Sequence, residues 1–519
     1  MVLFITYFNN TQALLLSLAS ILLIISLFFQ IKNREILAVS FLVLTGICIF
    51  SFSALLDPFL NLWDERFHAL VAKNLMNHPL KPTLYDNPIV NMTYDSWDKF
   101  HIWVHKQPLF LWQIALSFKL FGISEFTLRL PNVILSSFFV LASYRVGKLL
   151  VNQRTGFITG ILIISTTYIT ELVAGRQELD HNDLSFMAYI SFSIWSYVEY
   201  YFSKNKNWIY LIGIFSGLAI LCKWLVGLLI YFGWGILRIQ QKKLKISENK
   251  DLLLSIFIAL IIAIPWQILT FIWYPQETIQ AYKFNALHFT IPLDGHEGTF
   301  WYHFDKFDII YGALASFLII PSLYVMYKAI KDKKLFYSLL SMVLVVYIFF
   351  SFAVTKMPSF TIVVSIIIFI ALASLIDNFF VLLIQYIRAK WLLNFIFILA
   401  MLIIVFARID INSLQDKHTT KNSGNYYTRM LINNKEIFKS LKLPNNTVLF
   451  NVKGRHYIEA MFYTGLPAYN FIPSLEQCND LKTKGCIIAV FQSNNNEIPS
   501  YLKNDSTVKI LNQQIEGFD

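Results

Sequence analysis

Long apolar runs alternate with short polar breaks along most of this chain. The runs lie at 11–30, 35–56, 128–148, 156–174, 184–202, 208–222, 224–239, 251–273, 309–329, 336–354, 360–386 and 391–407. Crossing a hydrocarbon layer about 30 Å thick takes about 20 apolar residues at about 1.5 Å each. Each run meets or approaches that length, so the pattern predicts about twelve transmembrane helices. The segment 109–122 (LFLWQIALSFKLFG) is different. It has 14 residues and contains Lys119, which predicts a helix lying in the interface rather than a span.

Charge in the loops tests that choice. With twelve spans and the N-terminus outside, the inner loops collect eighteen basic residues, from Lys32 and Arg34 to Arg388 and Lys390. The outer segments other than 57–127 carry five: Arg176, Lys223, Lys283, Lys306 and Lys356. Counting 109–122 as a span would invert every later loop, against the positive-inside rule. The expected location is therefore the inner (plasma) membrane, multi-pass, with both termini extracytoplasmic.

After about residue 408 the pattern changes. TVLFNV, PAYNF, CIIAVF and VKILN read as short strands, with IEAMFYTG and LEQCNDLKTKG as helical pieces between them. Strands alternating with helices predict a small α/β domain. The fold class is thus an all-α polytopic membrane domain over 1–407, with outer loops 57–127 and 274–308, followed by an extracytoplasmic α/β domain over 408–519. The tail has no glycine-rich phosphate loop, and a substrate-recognition role and a purely stabilising one both fit it.

Composition removes other classes. Of the 519 residues, 56% are apolar, 14% are charged and 47 are Phe, where soluble domains run near 45–50% apolar and 25% charged. The net charge of +11 reads as loop topology rather than nucleic-acid binding. Cys478 and Cys486 fit either a disulfide or two free thiols, and no zinc spacing is present. The first 30 residues lack a basic n-region and a cleavage site, so no cleaved signal peptide is expected.

Polar chemistry concentrates in the expected outer segments. LWDERFHALVAKNLMNHPL places Asp64 and Glu65 at the start of an amphipathic helix. They suit helix capping, or a general base that accepts the proton of an attacking hydroxyl. HIWVHKQPLFLW puts His105 and Lys106 before Pro108, as an interface anchor or as a metal or phosphate ligand. GRQELDHNDLSF sets Arg176, Glu178, Asp180, His181 and Asp183 between two spans. Its acidic residues suit solvation, a divalent cation, or an ion pair with a catalytic Lys or Arg.

Lys223 interrupts GIFSGLAILCKWLVGLLIYFGW with no acid nearby in sequence. An ionisable group there is costly, and a lipid phosphate would satisfy it. Lys356 and Pro358 break FAVTKMPSFTIVVS, as a short turn would require. The 274–308 loop packs His288, Asp294, His296, Glu297, His303, Asp305 and Asp308 among aromatics, suited to a sugar or a metal without a tight ligand spacing.

WDERFHALVAKNL, HKQPLFLWQIALSFKLFGISEFTLRLPN, GLAILCKW and TKMPSF, in that order between those spans, resemble the GT-C superfamily of multi-spanning glycosyltransferases. Within it, the branch of bacterial aminoarabinose transferases and protein O-mannosyltransferases is the nearest in motif. The resemblance covers roughly 55–360. It implies transfer of a sugar from a polyprenyl-phosphate carrier to an acceptor on the extracytoplasmic face, with inversion. Catalytic roles then fall to Asp64, as base or acceptor-orienting residue, to Glu65, and to Asp180 or Asp183, between which the resemblance does not choose.

The same resemblance makes Lys223 a ligand of the carrier phosphate, and Lys106, Arg176, Lys356 and His288 are placed with it. His105, Asp180 and Asp183 are the candidate ligands if a divalent cation is the cofactor. Gln107 stands where a second Pro is common, Cys222 and Trp224 replace the usual neighbours of the Lys, and Ser359 and Phe360 stand where a Tyr often follows. The expected partners are the polyprenyl-phosphate-sugar donor, a lipid A, glycan or protein acceptor, and membrane lipids, but no nucleic acid. A flippase for a lipid-linked sugar would use the same cations without a base. The absence of repeated halves and the outer-face clustering of polar residues favour the enzyme.

Overall fold

Every apolar run predicted from the sequence is helical in the structure, a computed structural model that describes residues 2–90, 97–176, 180–293, 295–416, 425–492 and 497–517. Glu178 and Asp294 lie outside the described residues. Among the described residues, eight helical stretches are long and apolar enough to cross a membrane, or ten if each of two bent pairs forms one span. The chain is a multi-pass membrane protein.

Two features separate that count from the expected twelve. Asn182–Ser203 has 22 residues but is polar for a span, with Asp183 and Glu199 within it. Asn207–Gln240 is a single apolar stretch of 34 residues, yet the chain reverses inside it. Ser216 Oγ donates to the Gly227 carbonyl at 2.6 Å, whereas a continuous helix would separate these residues by about 16 Å. Lys223 ends the first arm, Asn207–Lys223, and so stands at the reversal. Trp234 on the second arm packs against Tyr197 and Tyr200 at 5.7 and 5.6 Å. Those tyrosines lie far along the helix whose first residue, Asn182, donates to the Cys222 carbonyl at 3.1 Å.

The chain divides into two compact units. The first comprises Met1–Leu55, Lys106–Phe110 and Arg129–Gln415. Its helices approach closely where side chains are smallest: a Cβ on Gly217 would stand 2.8 Å from Ile262 Cβ and 2.9 Å from the Ala259 carbonyl oxygen. Gly213 and Gly217 together form a small-xxx-small seam on the Lys250–Trp273 helix, the kind of surface on which membrane helices associate.

Arg408, at the end of Lys390–Arg408, secures both bent pairs. Its guanidinium donates to Thr166 Oγ1 at 2.7 Å, to Ser165 Oγ at 3.2 Å and to the Tyr311 carbonyl. These groups sit at the breaks between Gln153–Ile164 and Thr167–Ala174, and between Tyr302–Tyr311 and Ala315–Ala329. Backbone freed by a helix break inside a bundle must find a partner, and an arginine supplies several donors at once.

The second unit comprises Leu56–His105, Leu111–Leu128 and Asp416–Asp519, so the first long loop packs with the tail. Three parallel strands, β1 (Thr447–Phe450), β2 (Ile487–Phe491) and β3 (Lys509–Leu511), lie in the order β1-β2-β3. The expected fourth strand, PAYNF, runs along β1 through one bridge, Leu449 to Ala468. The helical pieces are Tyr457–Thr464 and Leu475–Thr483. Cys478 and Cys486 are free thiols.

Candidate active site

In the first unit, four charged side chains from three distant stretches meet. Asp180 precedes the Asn182–Ser203 helix and Asp183 lies in its first turn, so both carboxylates face the same end of it. Lys106 Nζ lies 2.9 Å from Asp180 Oδ2. Lys223 Nζ lies 3.5 Å from that same oxygen and also pairs with Asp183 Oδ1. Both carboxylates are about 2% exposed, while the lysine side chains keep 17% and 27%. Buried acids therefore hold two ammonium groups on side chains that stay partly exposed. Lys223 Nζ also stands 5.1 Å from the centre of the Phe360 ring, a cation–π contact.

The surrounding polar groups fix this geometry. Asn182 N donates to Asp180 Oδ1 at 3.0 Å, and Asn132 donates to the His181 carbonyl at 2.8 Å. Gln267 bridges Gln107 Oε1 and the Tyr282 hydroxyl at 2.7 and 2.8 Å. Trp224, directly after Lys223, has φ 68° and ψ −156°, a region that costs a non-glycine residue of order 1–3 kcal/mol. Its ring meets Tyr282 at 4.3 Å. His288 faces the same cations, and burial together with Lys223, Lys106 and His296 pushes its pKa down to about 4. It is a neutral imidazole at pH 7.

Other predicted residues take structural positions. Lys356 is 2% exposed and donates to the Phe350 and Ser351 carbonyls at 2.8 and 2.6 Å. It caps the end of Lys333–Phe352, and its backbone N–H bonds the His296 carbonyl at 3.0 Å. Arg176 is fully buried and donates to the Ser413 and Leu414 carbonyls. Both cations were expected to be phosphate ligands. In the structure both donate to backbone carbonyls near helix ends, groups that lack partners within their own helix.

A metal fits poorly. No group of three His, Cys, Asp or Glu residues able to hold one occurs among the described residues, and one oxygen of each of Asp180 and Asp183 already faces an ammonium group. His105, the third expected ligand, belongs to the second unit, where it stacks on Trp97 at 4.6 Å.

The second unit positions Asp64 and Glu65 at the start of Asp64–Leu75. Glu65 is 2% exposed and accepts from Asn61 N at 2.7 Å. Tyr427 closes that turn, donating to Asn61 Oδ1 at 3.0 Å and accepting from Leu62 N at 3.1 Å. Glu65 thus builds the turn, and Asp64 beside it is half-buried. The helix is tied to the tail: Arg66 lies 3.6 Å from Glu459, and Lys73 donates to the Phe462 carbonyl at 2.6 Å. Sequence reading missed these ties and the Lys106–Asp180 pair, since nothing local links residues 74 apart.

Residues 105–269 match the family model of dolichyl-phosphate-mannose-protein mannosyltransferases. An uncharacterised protein of Aquifex aeolicus is 26% identical over 188 residues, 36% of this chain and only 35% of that relative's length. Among solved structures, ArnT from Cupriavidus metallidurans bound to undecaprenyl phosphate superposes with a TM-score of 0.63 at 14% identity, covering 86% of this chain and 88% of that one. The chain shares the fold of that ArnT structure. The archaeal oligosaccharyltransferase AglB from Archaeoglobus fulgidus, in complex with an inhibitory peptide and a dolichol-phosphate, shares it more loosely. Its TM-score is 0.51 at 12% identity, covering 85% of this chain and 64% of that one. The family match begins at His105 and takes in Lys106, Asp180, Asp183 and Lys223.

Proposed function

We propose that this protein is an inverting glycosyltransferase that moves a sugar from a polyprenyl-phosphate donor to an acceptor hydroxyl on the extracytoplasmic face of the membrane. The observation that carries this reading is the pair of partly exposed lysines, Lys106 and Lys223, held by two buried carboxylates within the family-matched segment. The likeness to ArnT and AglB, crystallised with undecaprenyl phosphate and dolichol-phosphate, supports the class of donor. Both termini lie on the outer face in this reading, following the loop charges.

The chemistry is a single displacement. The acceptor oxygen attacks the anomeric carbon, the carbon–oxygen bond to the carrier phosphate breaks, and the phosphate leaves with the electron pair. A carboxylate accepts the hydroxyl proton, the role that the sequence resemblance gives Asp64. Lys106 and Lys223 meet the charge that develops on the phosphate, where one preorganised donor is worth about 3–4 kcal/mol of barrier. Neutral His288 adds a hydrogen-bonding edge without a further charge. One carboxylate acting as base gives inversion, since no covalent sugar–enzyme intermediate is formed.

The test uses purified protein in nanodiscs with a polyprenyl-phosphate sugar. Asp64→Asn is expected to abolish transfer while leaving donor binding intact, and full transfer by that variant would remove Asp64 from the mechanism. Mass spectrometry of lipid A, envelope polysaccharide and envelope protein, with and without the gene product, then identifies acceptor and sugar.

A further inference from the structure

The second unit carries a cationic aromatic cluster that the proposed reaction leaves unused. Arg455 lies in the loop after β1, at the carboxyl edge of the parallel sheet. Its guanidinium carbon sits 5.1 Å from the Trp63 ring centre and 5.5 Å from that of Trp97. Arg455 Nε donates to Asp98 Oδ2 at 3.1 Å. Among the described residues its two terminal nitrogens make no hydrogen bond, and the side chain is 30% exposed. Two indoles and a carboxylate thus fix the plane of a planar fork and leave its outer edge unsatisfied.

Structural arginines of this chain behave differently: Arg176 and Arg408 direct their terminal nitrogens at carbonyls. A second, independent observation is Trp63. The residue is 41% exposed, and its backbone has φ 66° and ψ −129°, a region in which a bulky residue is a genuine outlier. Such strain concentrates at ligand clamps, and here it falls on an exposed tryptophan directly before Asp64. Gly454, at φ 55°, lets the loop turn just before Arg455.

We propose that Arg455, Trp63 and Trp97 form the acceptor subsite and that the acceptor is an anionic sugar, one carrying a phosphate or a carboxylate. A guanidinium fork binds either oxyanion in bidentate fashion, and an exposed indole face accepts the apolar face of a sugar ring. The subsite lies in the same unit as Asp64, the proposed base, and in this respect the inference rests on the function proposed above.

The test titrates full-length protein in phosphatidylcholine nanodiscs with glucose 1-phosphate, glucuronate, methyl glucoside and inorganic phosphate, by calorimetry. At least one anionic sugar is expected to bind about tenfold tighter than both methyl glucoside and inorganic phosphate, and which one does so names the oxyanion. Arg455→Gln is expected to weaken that binding about tenfold, and Arg455→Lys, which keeps the charge but loses the fork, by less. Trp63→Leu leaves the Asp98 pair in place. It is expected to weaken binding of the anionic sugar while leaving inorganic phosphate unchanged. Equal affinity of wild type and Arg455→Gln for the anionic sugars, or of methyl glucoside and the anionic sugars for wild type, overturns the proposal. Undecaprenyl phosphate is titrated alongside. Its failure to bind wild type, with the Arg455 effects intact, counts against the glycosyltransferase reading and not against this subsite.

Discussion

Replacing Lys223 by Met tests the candidate site most directly, because the structure assigns the lysine two separable jobs. Asp183 is buried and Lys223 is the cation paired with it, while Asp180 keeps Lys106 at 2.9 Å. Lys223→Met therefore strands one buried carboxylate, and breaking a buried pair from one side costs about 3–5 kcal/mol. Asp183→Asn leaves a lysine that is 27% exposed and still 3.5 Å from Asp180, so its cost should be about 1 kcal/mol. The double variant removes both charges and should recover most of the loss, giving a coupling of roughly 2 kcal/mol or more. Binding should not recover. A charge-assisted hydrogen bond to phosphate is worth about 1.5–3 kcal/mol, or roughly 10- to 150-fold in undecaprenyl-phosphate affinity. Unfolding midpoints and donor titrations in nanodiscs, run on the wild type, both single variants and the double variant, read the two effects separately. Wild-type donor affinity in Lys223→Met would refute the phosphate role. Equal destabilisation by Lys223→Met and Asp183→Asn would refute the buried-pair reasoning.

Three further outcomes are expected. Lys356→Met should lower the unfolding midpoint through the lost cap on Lys333–Phe352 but leave the affinity for undecaprenyl phosphate within about twofold; a large loss of affinity would return Lys356 to the donor site. Because His288 has a pKa near 4 in the folded protein and about 6.5 unfolded, the unfolded chain binds more protons between those values. Its contribution, at most about 3 kcal/mol, is then present above pH 6.5 and lost as pH falls through 4, so a His288→Gln variant should flatten the pH dependence of stability in that window, measured against wild type. Gly217→Val should destabilise by about 1–3 kcal/mol or more, since its Cβ would fall 2.8 Å from Ile262 Cβ, and an unchanged melting curve would contradict the close packing of those helices.

Particular residues show how much of the site was legible beforehand. Lys223 stood out because an apolar run with one cation is costly unless the cation has a partner, and Asp180 and Asp183 stood out as acids between two spans. Which cation met which acid did not, for Lys106 reaches Asp180 across 74 residues. Lys356 and Arg176 looked like phosphate ligands by charge and place, but helix-end carbonyls claim them. Arg408 and Arg455 carried no local signal at all.

The sequence by itself determined that this is a multi-span membrane protein, where the helices fall, and that a polar patch sits on one side of them. Those properties follow from local hydropathy and length, which each segment carries alone. Only the tertiary structure decided the reversal at Lys223, the union of the first loop with the tail in one unit, and which charges are paired and which remain open to a ligand. Those depend on close approaches between segments far apart in the chain, where one carbonyl or carboxylate within 3 Å decides whether a lysine or arginine is a brace or a binding group.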